Sequence, residues 1–445
     1  MEIQVTVKID GREVACINQS VVMGRAIEIE EQTERLKDRL GQVVLEHGFA
    51  QLAESLETPC CCGRVMENKG LRPVTLMSQS GEVRVSRRRY RCRECGAWRM
   101  PADAILGLGT HRVTRRLGQL VCELATLEHF PELEELVANQ HGVHLGREEM
   151  RQLVHDVGQA AEADRLADVE LWRQTPPERR AWPKAEQAPH RIYVSCDGIL
   201  YCTNQREPDP LNPGQNRLIW KQMRVGCVYW QTEDEAWHKR VLWGQEDAES
   251  FGASLFRLAC RCGYQNAKEK IFVSDGGEWC WSIRETYFAG AVGILDWYHA
   301  SEHVWACGKS QSSDRAETQA WVDEALKRLR DQGGRGLWTW LKDQRPKTRR
   351  KKRTALDKLI GYLGPRQAIT DYPSYRANDW QIGSGMIEST ARQLVGLRLK
   401  GPGMHWTPEG ATAITALRAQ RINQVWHLFW QHLTLADPPT PTTAI

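Results

Sequence analysis

Two short apolar runs constrain this chain more than anything else in it. One is IYVSCDG, closing on Asp197-Gly198, and the other is IFVSDGG, closing on Asp275-Gly276. Each reads as a buried strand that stops at a carboxylate, because a glycine follows where the chain must turn. For either aspartate alone an ordinary Asp-Gly turn is the better account. The pair says more, because the segment between them has a strand, strand, helix, strand order. RIYVSCDGILYC, IWKQMRVGCVYW and HKRVLWGQ read as three consecutive strands, and EDAESFGASLFRLACRCG as a helix with acids at its start and glycine at its end. KIFVSDGGEW then supplies a strand, WSIRETYFAG a helix and AVGILDWY another strand. Three antiparallel strands followed by alternating strand and helix is how RNase H-like domains are wired, an analogy at the level of fold.

A third carboxylate stands far downstream. Glu388 lies near the start of a helix, after a glycine pair, in GSGMIEST. Three such groups suit phosphoryl transfer, in which two divalent cations about 3.5–4 Å apart clamp the attacking and leaving oxygens. Hard oxygen ligands favour magnesium. Asp296-Trp297-Tyr298-His299, followed by Glu302-His303, comes after the last strand. His299 is a candidate for acid–base work or for holding a phosphate oxygen, with Asp296 orienting its ring; the alternative is a histidine that caps or packs its own helix.

The cysteines split into two populations. No stretch of about 18 apolar residues exists, and MEIQVTVKIDGREV alternates like a strand instead of starting as a signal peptide. A cytosolic location with reduced thiols is therefore expected. Cys122, Cys196, Cys227 and Cys280 sit singly in apolar settings, as small buried hydrophobes do. Cys60, Cys61, Cys62, Cys92 and Cys95 cluster instead, in PCCCG and CRECG. Two knuckles each ending in glycine, joined by a hairpin-length spacer, predict a zinc ribbon with one structural zinc. Cys60, Cys62, Cys92 and Cys95 are the expected ligands, with Cys61 spare.

The net charge of +4 is uninformative, but its placement is not. Residues 84–93 hold six arginines, and residues 345–353 (RPKTRRKKR) hold seven bases and no acid. Such blocks mark polyanion contacts or solvated faces. Arg349, Arg350, Lys351 and Lys352 are candidate phosphate contacts. PELEELVANQ, a turn at HGVHLG, then REEMRQLVHDVGQ gives helix, turn, helix, whose second helix would offer Arg147 and Arg151 to DNA.

At this point the residues resemble a known family, the bacterial insertion-sequence transposases of the ISKra group, relatives of the Mutator-type enzymes. The resemblance spans about residues 57–428. It rests on PCCCG with GEVRVSRRRYRCRECGAWRMPADAILGLG, on YVSCDG, on VSDGGEWCWSI, on ILDWYHASEH, and on IGSGMIESTARQLVGLRLKGPGMHW. It implies that Asp197, Asp275 and Glu388 are a DDE triad holding two Mg2+, with Arg398 and Lys400 of the last block at the DNA. It further implies end cleavage, strand transfer, terminal inverted-repeat and target DNA as partners, and action as a homo-oligomer. Gly198 is followed by Ile199 where the family commonly has threonine.

The expected architecture is an α/β, RNase H-like mixed sheet with a helical insertion, preceded by a zinc ribbon and a helical DNA-binding region. The boundaries are an N-terminal hairpin and helix over 1–56, the ribbon over 57–100, helices over 101–172 and a Pro-rich linker over 173–190. The core follows over 191–298, the insertion over 299–380, returning core helices over 381–434 and a disordered tail over 435–445. The expected function is a magnesium-dependent DNA transposase, cytoplasmic and nucleoid-associated, with no membrane partner. Two rivals stand beside it: a domesticated DNA-binding regulator that no longer cuts, and a structure-specific nuclease on the same fold.

Overall fold

The chain is described by a computed structural model. It covers all positions except 107, 108, 110, 181–187, 233, 349, 434 and 436–445, together with the side chains of 347, 350 and 351. Much of the expected linker and nearly all of the expected tail therefore lie outside the described residues. The chain divides into two compact units. One is Met1–Ala161 joined by the C-terminal segment from Trp426, and the other is Glu162–Val425.

In the first unit, alternating residues form a hairpin of β1 (Glu2–Ile9) and β2 (Arg12–Ser20), turned at Asp10-Gly11 as expected. Helix α1 (Ala26–Glu54) follows. Two short strands, β3 (Cys60–Cys61) and β4 (Arg64–Val65), make a knuckle, and β5 (Glu67–Ser78), β6 (Gly81–Arg91) and β7 (Trp98–Arg99) make an antiparallel sheet. Val83, Val85 and Leu76 of this sheet pack on Ala53, Ala102 and Leu106 in a small apolar core. The helices α2 (Asp103–Leu106), α3 (Arg115–Ala125), α4 (Phe130–His141) and α5 (Arg147–Gln174) follow. α4 stops at Gly142, whose φ of 61° suits a residue without Cβ. α5 runs past Ala161 into the second unit.

The second unit is built on a five-stranded mixed sheet. Its strands are β8 (Arg191–Pro208), β9 (Asn216–Gln231), β10 (Trp237–Gly244), β11 (Glu269–Ser274) and β12 (Val292–Leu295), in the spatial order β10-β9-β8-β11-β12. β8, β9 and β10 pair antiparallel, and β11 runs parallel to both β8 and β12. The crossovers are α6 (Ala248–Arg261), capped by the Asp247 side chain, and α7 (Glu278–Tyr287). This is the wiring expected from the sequence. Ile192, Val194, Phe251, Leu255, Phe272, Ile283 and Phe288 fill the core between the sheet and these two helices. The larger aliphatic and phenylalanine side chains of this core are each worth about 1.5–3 kcal/mol when buried.

One strand differs from expectation. β8 does not end at Asp197 but continues to Pro208, because β9 goes on pairing with it beyond Gly198. What ends near Asp197 is the parallel pairing with β11. The chain after β12 is helical, as expected: α8 (Trp297–Gly308), α9 (Arg315–Gln344), α10 (Arg350–Leu363) and α11 (Tyr372–Ala377). α9 breaks at Gly333, where φ is 68° and a Cβ would meet the Thr370 carbonyl at 2.9 Å. α12 (Gly385–Ala391), a π-helical turn over Arg392–Gly396, α13 (Leu397–Leu399) and α14 (Pro408–Ile422) return to the sheet. Among the described residues no helix is long and apolar enough to cross a membrane.

Candidate active site and metal centre

Strand register brings the first two carboxylates together. Val194 of β8 pairs with Phe272 of β11, and the Ser274 hydroxyl donates to the Cys196 carbonyl at 3.0 Å. Carried three residues beyond Val194 and Phe272, the same register sets Asp197 level with Asp275, the residue after β11. Ser274 in turn pairs with Leu295 of β12, so Asp296 takes the following position on the third parallel strand. Asp275 and Asp296 thus follow the carboxyl ends of β11 and β12, and Asp197 stands level with them inside β8, just past the stretch where β8 pairs with β11.

Glu388 joins from α12. Thr390 of the same helix meets Cys227 of β9 at 3.6 Å, and the Ser384 hydroxyl donates to Glu388 Oε1 at 2.6 Å. The electrostatics report the convergence. The Asp197 carboxyl is pushed up to about 6 by its burial first, and then by the negative charges of Asp275 and Glu388. His299 pulls it the other way, and the Gly198 backbone N–H, donating to Oδ1 at 2.6 Å, does so too. The Gly277 N–H donates to Asp275 Oδ1 at 3.0 Å. Asp275, Glu388 and His299 thus each lie near enough to Asp197 for their charges to reach it, while among the described residues only the four cysteines bring their ligand atoms within 4.8 Å of one another.

Asp296 does a different job from the one expected. Its Oδ2 accepts from the backbone N–H of His299 at 2.8 Å, and its Oδ1 accepts from the N–H of Ser384 at 2.8 Å. It is 2% exposed. It caps α8 and ties that helix to the segment entering α12, and it does not orient the imidazole. A carboxylate at a helix N-terminus satisfies donors that would otherwise go unpaired, which is why position 296 prefers the backbone to the ring.

The insertion also reaches this site. Nε2 of His299 and the hydroxyl of Tyr362 close over the backbone of Gly276, where a Cβ would meet them at 2.9 and 3.1 Å. His303 stacks on Tyr362 with ring centroids 3.8 Å apart, and the Arg366 guanidinium lies 4.4 Å from the centroid of the same ring. Burial pushes the Tyr362 phenol up to about 12. Sequence reasoning had no signal for Tyr362 and Arg366, because their place depends on how the helices after β12 fold back.

The second centre is in the first unit. Sγ atoms of Cys61, Cys62, Cys92 and Cys95 all lie within 4.8 Å of one another. Cys61 is 3.8 Å from Cys62 and 3.5 Å from Cys95. A tetrahedron with Zn–S bonds of about 2.3 Å has edges near 3.8 Å, so the four thiols fit a zinc ion. The backbone N–H of Ala97 draws the Cys95 thiol down to about 7, whereas hydrogen bonding to its sulfur neighbours pushes Cys61 up to about 12. The expected set is corrected at one position: Cys61, not Cys60, faces the second knuckle. Successive residues of β3 face opposite sides, and φ of 51° at Cys62 and 75° at Gly63 fold the chain back so that Cys62 rejoins Cys61.

The expected DNA contacts fare unevenly. Arg147 pairs with Glu134 at 3.2 Å, and Arg151 pairs with Glu148. Arg398 is 1% exposed, its guanidinium 4.9 Å from the Trp406 ring centroid, so it supports the fold from inside and does not meet DNA. Lys400 and Lys352 are exposed. Arg349 lies outside the described residues, as do the side chains of Arg350 and Lys351. Of the remaining bases in that block, Arg345 pairs with Asp357.

No family model matches the chain, and no curated protein matches it. Among solved structures it is similar to a Drosophila P element transposase strand transfer complex. The identity is 10% and the TM-score 0.24, over 72% of this chain and 82% of that one, a likeness too slight to decide function.

Proposed function

We propose that the second unit is an RNase H-like phosphodiester-cleaving core and that the chain is a DNA transposase of the kind its motifs resemble. The observation that supports this most is the gathering of Asp197, Asp275 and Glu388, with Asp197 held near 6 by burial and by the other two. Asp197 and Asp275 are half-buried, Glu388 is exposed, and one histidine lies near Asp197, so carboxylates outnumber the bases there. Such a donor set fits divalent cations with a taste for oxygen.

Magnesium, when bound, would polarise the phosphate and lower the pKa of a water nucleophile. The chain's own residues do the rest. Asp197 and Asp275 hold fixed positions on adjacent strands, and Ser384 holds Glu388 against them. The His299 imidazole stands beside Gly276, able to donate to a phosphate oxygen or to hold the leaving strand. Asp296 keeps the two helices that deliver His299 and Glu388 in step. Catalysis of this kind rests on position and charge neutralisation. The first unit, with its four-thiol centre, is the part we assign to holding DNA ends.

The test is cleavage of labelled DNA carrying the inverted repeats that flank the gene. Asp197→Asn, Asp275→Asn and Glu388→Gln should each lose at least about a thousandfold in rate, several kcal/mol, while binding DNA as the parent does. Any one variant within about tenfold of the parent would exclude that residue from the site. A chain that binds ends but never cuts, with all three acids present, would favour the regulator instead.

A further inference from the structure

The arginine block of residues 84–93 lies on β6, and the structure sorts its members. Arg87 pairs with Asp103, Arg93 with Glu67, and Arg84 approaches Glu82 at 3.5 Å. Among the described residues Arg88, Arg89, Arg91 and Arg99 make no ion pair, and of these Arg91 lies opposite Trp98 while Arg99 lies opposite Tyr90 on the other face. Side chains alternate across a strand. Val83 and Val85 face the apolar core near the hairpin turn, whereas Tyr90 and Cys92 are the buried pair near the cysteines, packed with Met66. The covered face of the sheet therefore switches along β6. The switch falls where the register between β5 and β6 shifts, between Asn68 and Leu71. It leaves Arg89 and Arg91 on the open side at the cysteine end. Both lean on Trp98 of β7, with guanidinium carbons 3.5 and 5.5 Å from the ring centroid.

We propose that this face, and not the α4–α5 helix pair, is where the chain grips the phosphate backbone of duplex DNA. The inference rests on the reading that the chain acts on DNA. The two surfaces differ in free charge. On the helix pair Arg147 and Arg151 are each neutralised by a glutamate, and Glu132 and Glu149 add further acid. On the sheet Arg89 and Arg91 make no ion pair, since Glu67, which lies opposite Arg91, is taken by Arg93 and Lys69, and stacking on an indole holds a guanidinium at little entropic cost. Trp98 has Arg89 against its ring, so it is not an open platform for an unpaired base, which argues for a duplex over a single strand.

The test uses the full-length, zinc-loaded chain in magnesium-free buffer, with anisotropy of a fluorescein-labelled duplex measured across a salt series. Arg89→Ala combined with Arg91→Ala should flatten the plot of log affinity against log salt by about 1.8, or 0.9 for each lost contact. The Arg89→Lys, Arg91→Lys pair should keep the parental slope, because the charge remains. Arg147→Ala with Arg151→Ala should leave it unchanged. An unchanged slope in the alanine pair, an equal loss in the lysine pair, or a larger loss in the helix variant would each overturn the proposal. Tighter binding of the corresponding single strand would overturn the choice of duplex. Cleavage is not needed for any of these readouts, so a chain that grips DNA here and never cuts it would sink the phosphodiester reading alone.

Discussion

The four thiols and the three carboxylates are assembled in opposite ways. The thiols come from one short stretch, residues 61–95, folded back by two knuckles and a sheet. The carboxylates of the proposed second centre come from positions 197, 275 and 388, set by strand register and by a helix that returns after a long excursion. A local site can form as its own segment folds, and its metal's binding energy is folding energy. A non-local site depends on everything between its members, so it must be held by struts such as Asp296 and Ser384.

The sharpest way to break this comparison is at the local centre. Cys61→Ser should abolish zinc binding and leave residues 57–100 open to protease, since a structural four-thiolate zinc contributes on the order of 10 kcal/mol. Cys60→Ser should keep about one zinc per chain. Metal analysis of the two proteins side by side decides it, and the reverse outcome would restore Cys60 as the ligand.

The non-local centre should show its strain in pH. The folded Asp197 carboxyl is raised to about 6 from 3.8, so the folded state holds its proton more tightly than the unfolded one. Below about pH 4 the group is protonated in both states and stability is intact. Stability is then lost as pH rises through about 6, by something on the order of 3 kcal/mol in magnesium-free protein. Melting curves from pH 4 to 8 for the parent and Asp197→Asn should diverge over that window, and added magnesium should close the gap. Parallel curves would mean that neither burial nor the charges of Asp275 and Glu388 raise the Asp197 carboxyl.

A smaller effect is expected at the strut. Asp296→Asn retains an acceptor for one backbone donor but turns an amide N–H₂ toward the other. It should cost about 1–2 kcal/mol of stability and lower kcat with little change in KM, because substrate contacts are untouched while Glu388 drifts. A variant that melts lower but cuts at the parental rate would mean that Asp296 matters to the fold alone.

How much of this was legible beforehand follows from the same distinction. The strands around Asp197 and Asp275 were readable because a buried strand writes an unbroken apolar run, and their wiring followed from the order of elements. The helix start that carries Glu388 was readable from its glycine-flanked setting. The choice between Cys60 and Cys61 was not, since it turns on a left-handed φ at Cys62 that no spacing rule encodes. Nor was the burial of Arg398, which depends on Trp406 folding back over it. Tyr362 and Arg366 were invisible because helix packing, not local pattern, delivers them to Gly276.

The clasp between β12 and α12 has a consequence for the length of chain between them. Trp297 donates its backbone N–H to the Ile382 carbonyl at 2.9 Å, and Ser384 donates to Asp296. The polypeptide therefore leaves the sheet and comes back through one doorway. Lengthening a closed loop adds little entropic cost, only about 0.6 kcal/mol per doubling. Helices hung from such a doorway can lengthen or shorten at little cost to the closure that sets the segment entering α12 beside Asp296.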